Sequence, residues 1–283
     1  MTIKKTILIT GATGGIGRAI ATGLAQKGHQ LLVVGRNPDK GASLIETLQN
    51  ATKNPDIHFF ECDLSRMADV SKLCAAIRVQ FPQLDGIVFS SGVLHAKRTE
   101  TKEGLEEVFA MQYLNRFLMT VNLADNLTAS GNAKVVWIGA PLLPFAKLDF
   151  DNLQFKKGYF LPKVMAQVQL AAHVMVQTMA SRYKGRFELC VVSPGLVVTD
   201  LAKSVGGIFK VLATLFLPLI SNSAELAASN VISIFDKPDT DDVTGLFFSK
   251  PGNFNKRKRI QFPEQLGERL WAETEAVLAS SNP

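Results

Sequence analysis

Near the N-terminus, Thr10-Gly11-Ala12-Thr13-Gly14-Gly15-Ile16-Gly17 has the residue types and spacing of a turn that holds a phosphate. The apolar run Ile7-Leu8-Ile9 precedes it and a helix-like stretch from Arg18 to Lys27 follows. A strand, a glycine-rich turn and a helix start, in that order, build a nest for a pyrophosphate. Gly11 serves the tight turn, Gly15 lets backbone approach the phosphate, and Gly17 lets the helix pack close to the strand. Thr13, Gly14 and Ile16 complete the cradle. Taken alone the stretch also fits an ordinary glycine-rich loop, so the remaining residues have to decide.

A second chemical signal is the lack of an acid after the next apolar run, Gln30 to Gly35, where Gly35-Arg36-Asn37 stands instead. A carboxylate there would accept hydrogen bonds from a ribose, whereas Arg36 pairs with a 2′-phosphate, and Arg18 adds a second positive charge. This favours NADP(H) over NAD, against the plain alternative of a surface arginine. Asp63, followed by Leu64, puts a carboxylate within reach of an adenine amino group, or else caps the helix that follows. Ser90-Ser91-Gly92 supplies small residues against which a cofactor lies, with Ser90 and Gly92 as the expected contacts.

The elements that must position these residues alternate along the chain. Strands are expected at 6–10, 30–35, 57–61, 84–89, 134–138, 188–192 and 244–248. Helices are expected at 16–27, 40–50, 70–81, 101–127, 163–183 and 263–279. Continuous apolar strands alternating with helices predict an α/β fold: a doubly wound parallel sheet of about seven strands covered on both faces. No linker or repeat interrupts it, so residues 1–283 read as one domain.

Composition excludes several classes. Apolar residues make up 47% of the 283, which argues against disorder, and the net charge of +6 is dispersed except at Lys256-Arg257-Lys258-Arg259. Nucleic-acid binding is not suggested. Cys62, Cys74 and Cys190 form no CxxC pair, the strand-like start leaves no room for a signal peptide, and no apolar run is long enough to span a membrane, so a cytoplasmic protein is expected. His29, His58, His95 and His173 are too scattered for a metal site, and none is expected.

In this order the pieces resemble a short-chain dehydrogenase/reductase over nearly the whole chain, with a Rossmann-type dinucleotide fold. The matching residues are Thr10 to Gly17, Asp63-Leu64, Ser90-Ser91-Gly92, Tyr159-x-x-x-Lys163, and Pro194-Gly195 with Thr199. Residues 104–120 (GLEEVFAMQYLNRFLMT) and 266–277 (LGERLWAETEAV) resemble the retinol-dehydrogenase-like branch. The resemblance implies hydride transfer between a nicotinamide and a carbonyl or alcohol carbon. Tyr159 would exchange the hydroxyl proton, Lys163 would lower its pKa and hold the nicotinamide ribose, and Gln112 would support a relay water in the place of an asparagine. Residues i and i+4 share a helix face, and an ammonium beside a phenol favours phenolate. Pro194, Gly195 and Thr199 would complete the cofactor contacts.

Three departures stand out. The family's serine, two positions past the fifth strand, is Ala140 here; Asn115 stands where a glycine is usual and offers a second amide beside Gln112. Pro162 belongs in a helix's first turn, so a helix starting there leaves Tyr159 outside it. Ala140 leaves three alternatives: a weakened reductase in which water or substrate replaces the serine, a cofactor-dependent cyclisation or isomerisation, or a regulatory binder of NADP. On the substrate side, the apolar segment 201–220, within an expected lid at 199–222, faces Leu142, Leu143, Phe145 and Phe160 and suggests a lipophilic small molecule. The same segment is open to reading as a core helix or a peripheral membrane contact, with Lys256 to Arg259 as a solvated loop or an aid to lipid contact. Residues 164–179 are apolar enough for a homodimer interface or for burial against the sheet.

Overall fold

Short apolar runs become strands because each is buried on both faces by helices from its own crossovers. In the computed structural model, which describes residues 3–197, 222–236 and 242–281, they assemble into one sheet. The elements are β1 (Thr6–Thr10), α1 (Gly15–Gln26), β2 (Gln30–Gly35), α2 (Pro38–Thr52), β3 (Ile57–Glu61), α3 (Met67–Gln80) and β4 (Gly86–Phe89). They continue with α4 (Glu107–Phe109), a π-helical turn (Ala110–Leu114), α5 (Asn115–Asn122), α6 (Ala124–Ser130), β5 (Lys134–Ile138) and α7 (Leu161–Arg182). The chain ends with β6 (Glu188–Val192), α8 (Ala224–Asp236), β7 (Leu246–Phe248), β8 (Arg257–Arg259) and α9 (Glu264–Ser281).

The strand order is β3-β2-β1-β4-β5-β6-β7-β8, parallel throughout except for the last pair. The order reverses between β1 and β4, and a ligand-binding crevice opens at the carboxyl ends of strands at such a point. One core packs under α3, α5, α7 and α9 around Trp137, Tyr113 and Phe109, and the other under α1, α2 and α8 around Ile7, Ile20 and Phe235. Among the described residues the sheet has eight strands, one more than the about seven expected. The extra one is the basic run, whose Arg257, Lys258 and Arg259 pair antiparallel with β7 and place cations along the edge, which deters pairing with another chain.

The expected helix 101–127 is broken into pieces. Gly104 takes a left-handed φ of +75°, and the Glu106 carboxylate caps α4 by accepting the N–H groups of Val108 and Phe109. The π-turn then carries Gln112, and such bulges favour functional positions. Most of the apolar length of α7, from Val164 to Ala180, is buried against the chain's own sheet. The expected lid and the segment 201–220 lie outside the described residues apart from Asn222. No helix among the described residues is long and apolar enough to cross a membrane.

Candidate active site and cofactor cradle

The turn after β1 is built so that side chains are impossible where backbone meets backbone. Gly11 has φ +73°, and a Cβ on it would lie 2.7 Å from the Ser91 nitrogen. A Cβ on Gly17 would lie 2.3 Å from the Gly11 oxygen and 2.4 Å from Ser90 Oγ. Thus α1 sits hard against β1 and the end of β4. Thr10 Oγ1 and Ser91 Oγ, 3.1 Å apart, and Ser90 Oγ donating to the Thr10 carbonyl at 2.6 Å lock these two strand ends together. At the rim the opposite holds: Gly14 faces open space, and α1 begins with no side-chain cap. Its first amide groups are thereby available to an anion. Thr13, Gly14 and Gly15 are exposed at this mouth, and Ile16 is half-buried. These residues fit a dinucleotide pyrophosphate.

Arg36 is exposed at the end of β2, next to Asn37, whose side chain caps α2 by accepting the Lys40 N–H at 2.8 Å. The Asp63 carboxylate accepts both the backbone N–H and the hydroxyl of Ser65, closing a turn ahead of α3; Glu103 caps that helix. Leu64 is buried, and its carbonyl accepts from Asn115 Nδ2 at 3.2 Å. Asn115 Nδ2 also donates to the Met111 carbonyl at 2.9 Å. Pro194 and Gly195 follow β6, with Gly195 at φ +67° packed against Asn222 and Pro251. Thr199 lies outside the described residues.

At the end of β5 the polar groups are amides. Gln169 Oε1 accepts the Ala140 N–H at 2.7 Å, and Gln169 Nε2 donates to Gln112 Oε1 at 3.4 Å. Gln112 Nε2 in turn donates to the Val93 carbonyl at 2.8 Å and lies 3.9 Å from Met165 Sδ. One turn beyond Gln169, His173 Nε2 carries the proton and donates to the Ala140 carbonyl at 3.0 Å. Burial pulls the His173 pKa down, with its hydrogen bond to Ala140 opposing. Met165, Gln169 and His173, at i, i+4 and i+8, are thus the α7 residues that face Ala140 and Gln112.

Tyr159 and Lys163 flank the start of α7. With Pro162 in its first turn, α7 begins at Leu161 after Phe160, which leaves Tyr159 outside the helix. The Tyr159 hydroxyl donates to the His95 carbonyl at 2.9 Å, and its ring meets Phe155 edge-on. Burial, with a smaller effect from Glu106 and against the pull of Arg98, pushes this phenol up to about 12. Lys163 is exposed at the start of α7. The loop between is tied down by Gln167, which accepts the Asp149 N–H and donates to the Leu153 carbonyl.

Sequence reading missed Gln169, Met165 and Arg116. The signal for the first two was the register of α7: a helix starting at 161 carries residues 165 and 169 towards the end of β5 and Gln112. Arg116 is 3% exposed, one turn after Gln112, and donates to the carbonyls of Ile138 at 2.7 Å and Ser91 at 3.0 Å. Around this edge, Leu143, Phe145, Phe160 and Leu196 are exposed on the loops after β5 and β6.

Residues 5–142 match the family model described as short chain dehydrogenase. Human polyprenol dehydrogenase is 26% identical over 277 residues, covering 95% of this chain and 84% of the relative. Bovine retinol dehydrogenase 12 is 28% identical over 270 residues, covering 94% and 84%. Among solved structures, Pseudomonas aeruginosa RhlG in complex with NADP has a TM-score of 0.68 at 19% identity, covering 89% of this chain and 97% of that one. The alcohol dehydrogenase of Thermococcus sibiricus with 5-hydroxy-NADP has a TM-score of 0.66 at 19% identity, covering 92% and 100%. With this sheet order and this glycine turn, the chain is similar to short-chain dehydrogenases, by the family model over residues 5–142 and by its dehydrogenase relatives over most of its length.

Proposed function

We propose that this chain binds NADP(H) across the carboxyl ends of β1 to β6 and exchanges hydride with a carbonyl or alcohol carbon of a lipophilic small molecule. The observation that carries this is the cradle, where Gly11 and Gly17 admit no Cβ and the start of α1 is left uncapped beside Gly14. Arg36, with no acid at the end of β2, supports the 2′-phosphate form. Asp63 and Leu64 would flank the adenine, Ser90 and Gly92 the sheet side, and Pro194, Gly195 and Thr199 the nicotinamide end. When bound, the dinucleotide supplies or accepts the hydride. Tyr159 would give or take the hydroxyl proton, for which its hydroxyl must exchange the His95 carbonyl for the substrate oxygen. Lys163 would turn inward from the surface to the ribose, and Gln112 would orient a water. Exposed Leu143, Phe145, Phe160 and Leu196 suit a lipophilic substrate, as do relatives named for polyprenol and retinol. The same apolar rim would suit a peripheral membrane contact. One domain, a cytoplasmic setting and a homodimer remain part of this reading.

A second reading, NADP binding with altered or no redox turnover, is favoured by the polar groups around Ala140, which are the amides of Gln169 and Gln112 and the buried His173 and include no hydroxyl. Deuterated NADPH incubated with a panel of lipophilic aldehydes, ketones and enones separates the two. Label in a product supports the first reading, and tight cofactor binding with no label in any product supports the second. Failure of NADPH to bind refutes both. Arg36→Asp should shift cofactor preference toward NADH by calorimetry, and unchanged relative affinities would remove Arg36 from the phosphate site.

A further inference from the structure

We propose that Arg116 makes the site prefer the reduced cofactor, NADPH, over NADP+, by fixing an unneutralised positive charge beneath the nicotinamide half of the sheet. The inference rests on reading the ligand as NADP(H). Arg116 lies between the carboxyl ends of β4 and β5, bridging the carbonyls of Ser91 and Ile138. Its guanidinium carbon is 5.9 Å from the Trp137 ring centroid, and its Nε has no partner among the described residues. No carboxylate among the described residues pairs with it.

In a doubly wound sheet, each half receives one mononucleotide on its side of the switch point. With Arg36 and Asp63 taken as the adenosine side at β2 and β3, the ends of β4 and β5 would receive the nicotinamide. The oxidised ring carries a positive charge and the reduced ring does not. Other charges on the two cofactor forms are the same, so a fixed cation under the ring discriminates between them by its repulsion of one form. Burial draws the Arg116 pKa down to about 9, which leaves the guanidinium charged at neutral pH. The two bridging carbonyls accept from Nη1 and Nη2 without cancelling the charge, and a neutral amide would serve for the bridge alone. A buried cation without a counter-charge is costly, so its presence at this edge calls for a role beyond the bridge. At an effective dielectric near 20, repulsion between like charges separated by on the order of 10 Å corresponds in general to roughly tenfold in affinity, which sets the scale of discrimination expected here.

Calorimetric dissociation constants for NADPH and NADP+ at one ionic strength test this in the full chain, with thermal melts to check folding. Wild type should bind NADPH more tightly by about tenfold. Arg116→Gln should bring the ratio toward one, and Arg116→Lys should keep it; Arg116→Met serves if the glutamine variant does not fold. A residue that only bridges the strands would weaken both forms alike, and an unchanged ratio in Arg116→Gln would overturn the proposal. So would a wild-type ratio of one. If neither form binds the wild type, the NADP(H) reading itself fails, an outcome distinct from equal binding.

Discussion

The pH dependence of turnover tests whether Tyr159 handles the proton in the geometry of this structure. Its hydroxyl donates to the His95 carbonyl, and partial burial beside Glu106 holds it near 12. In the reducing direction the phenol must give up a proton, and at pKa 12 it is protonated from pH 6 to 9. The reduction rate should therefore be flat across that range as far as this group is concerned. In the oxidising direction it must start as phenolate, a fraction of about 10⁻⁵ at pH 7 that grows tenfold per pH unit. Oxidation of a lipophilic alcohol by NADP+, followed at 340 nm by the formation of NADPH, should rise steeply through pH 10. Tyr159→Phe should lower both directions by about 10²–10⁴-fold if Tyr159 is the proton carrier. The loss of the bond to His95 should cost only about 0.5–1.5 kcal/mol of stability. An oxidation profile that levels off near pH 7 would mean that Lys163 closes on the phenol during turnover and refute the reasoning from its burial beside Glu106. Turnover unaffected by Tyr159→Phe would remove Tyr159 from the chemistry.

Two further outcomes follow from packing and burial. Gly17→Ala places a Cβ 2.3 Å from the Gly11 oxygen, a backbone atom, so α1 must lift from β1. It should lose about 1–3 kcal/mol in urea unfolding together with most NADPH affinity. Gly23→Ala, on the same helix, meets only the flexible end of Ile232 and should lose stability with far less effect on binding; equal binding losses in both would argue against a cradle at Gly17. His173 is buried with its pKa lowered, so below the ordinary imidazole pKa of about 6.5 the unfolded chain binds a proton that the folded chain refuses. Its contribution to stability is present above pH 6.5 and is lost as pH falls below it. His173→Gln, which keeps a donor for the Ala140 carbonyl, should flatten that part of a pH series of thermal melts.

The amino-acid sequence determined the architecture because its signals are local. Apolar runs at β1 to β6 and the residues Gly11, Gly15 and Gly17 act through the chain's own periodicity and backbone, so the doubly wound sheet and the tight glycine turn between β1 and α1 are legible from sequence alone. The basic run at 256–259 was misread as a loop because a short edge strand is formed by pairing with β7, a partner distant from any local pattern. The long helix at 101–127 was misread for a related reason: its π-turn and breaks depend on packing and on the cap from Glu106, while its apolar periodicity runs on unbroken. The reaction end was decided only in three dimensions. Tyr159-x-x-x-Lys163 satisfies a spacing rule, but spacing places two residues on one helix face only when both are in the helix, and Pro162 starts α7 at Leu161. The register that follows presents Gln169 and His173 to Ala140 and Met165 to Gln112. Arg116 remained hidden for the same reason, since a buried cation between two strand ends has no sequence signature until the sheet brings Ser91 and Ile138 to either side of it.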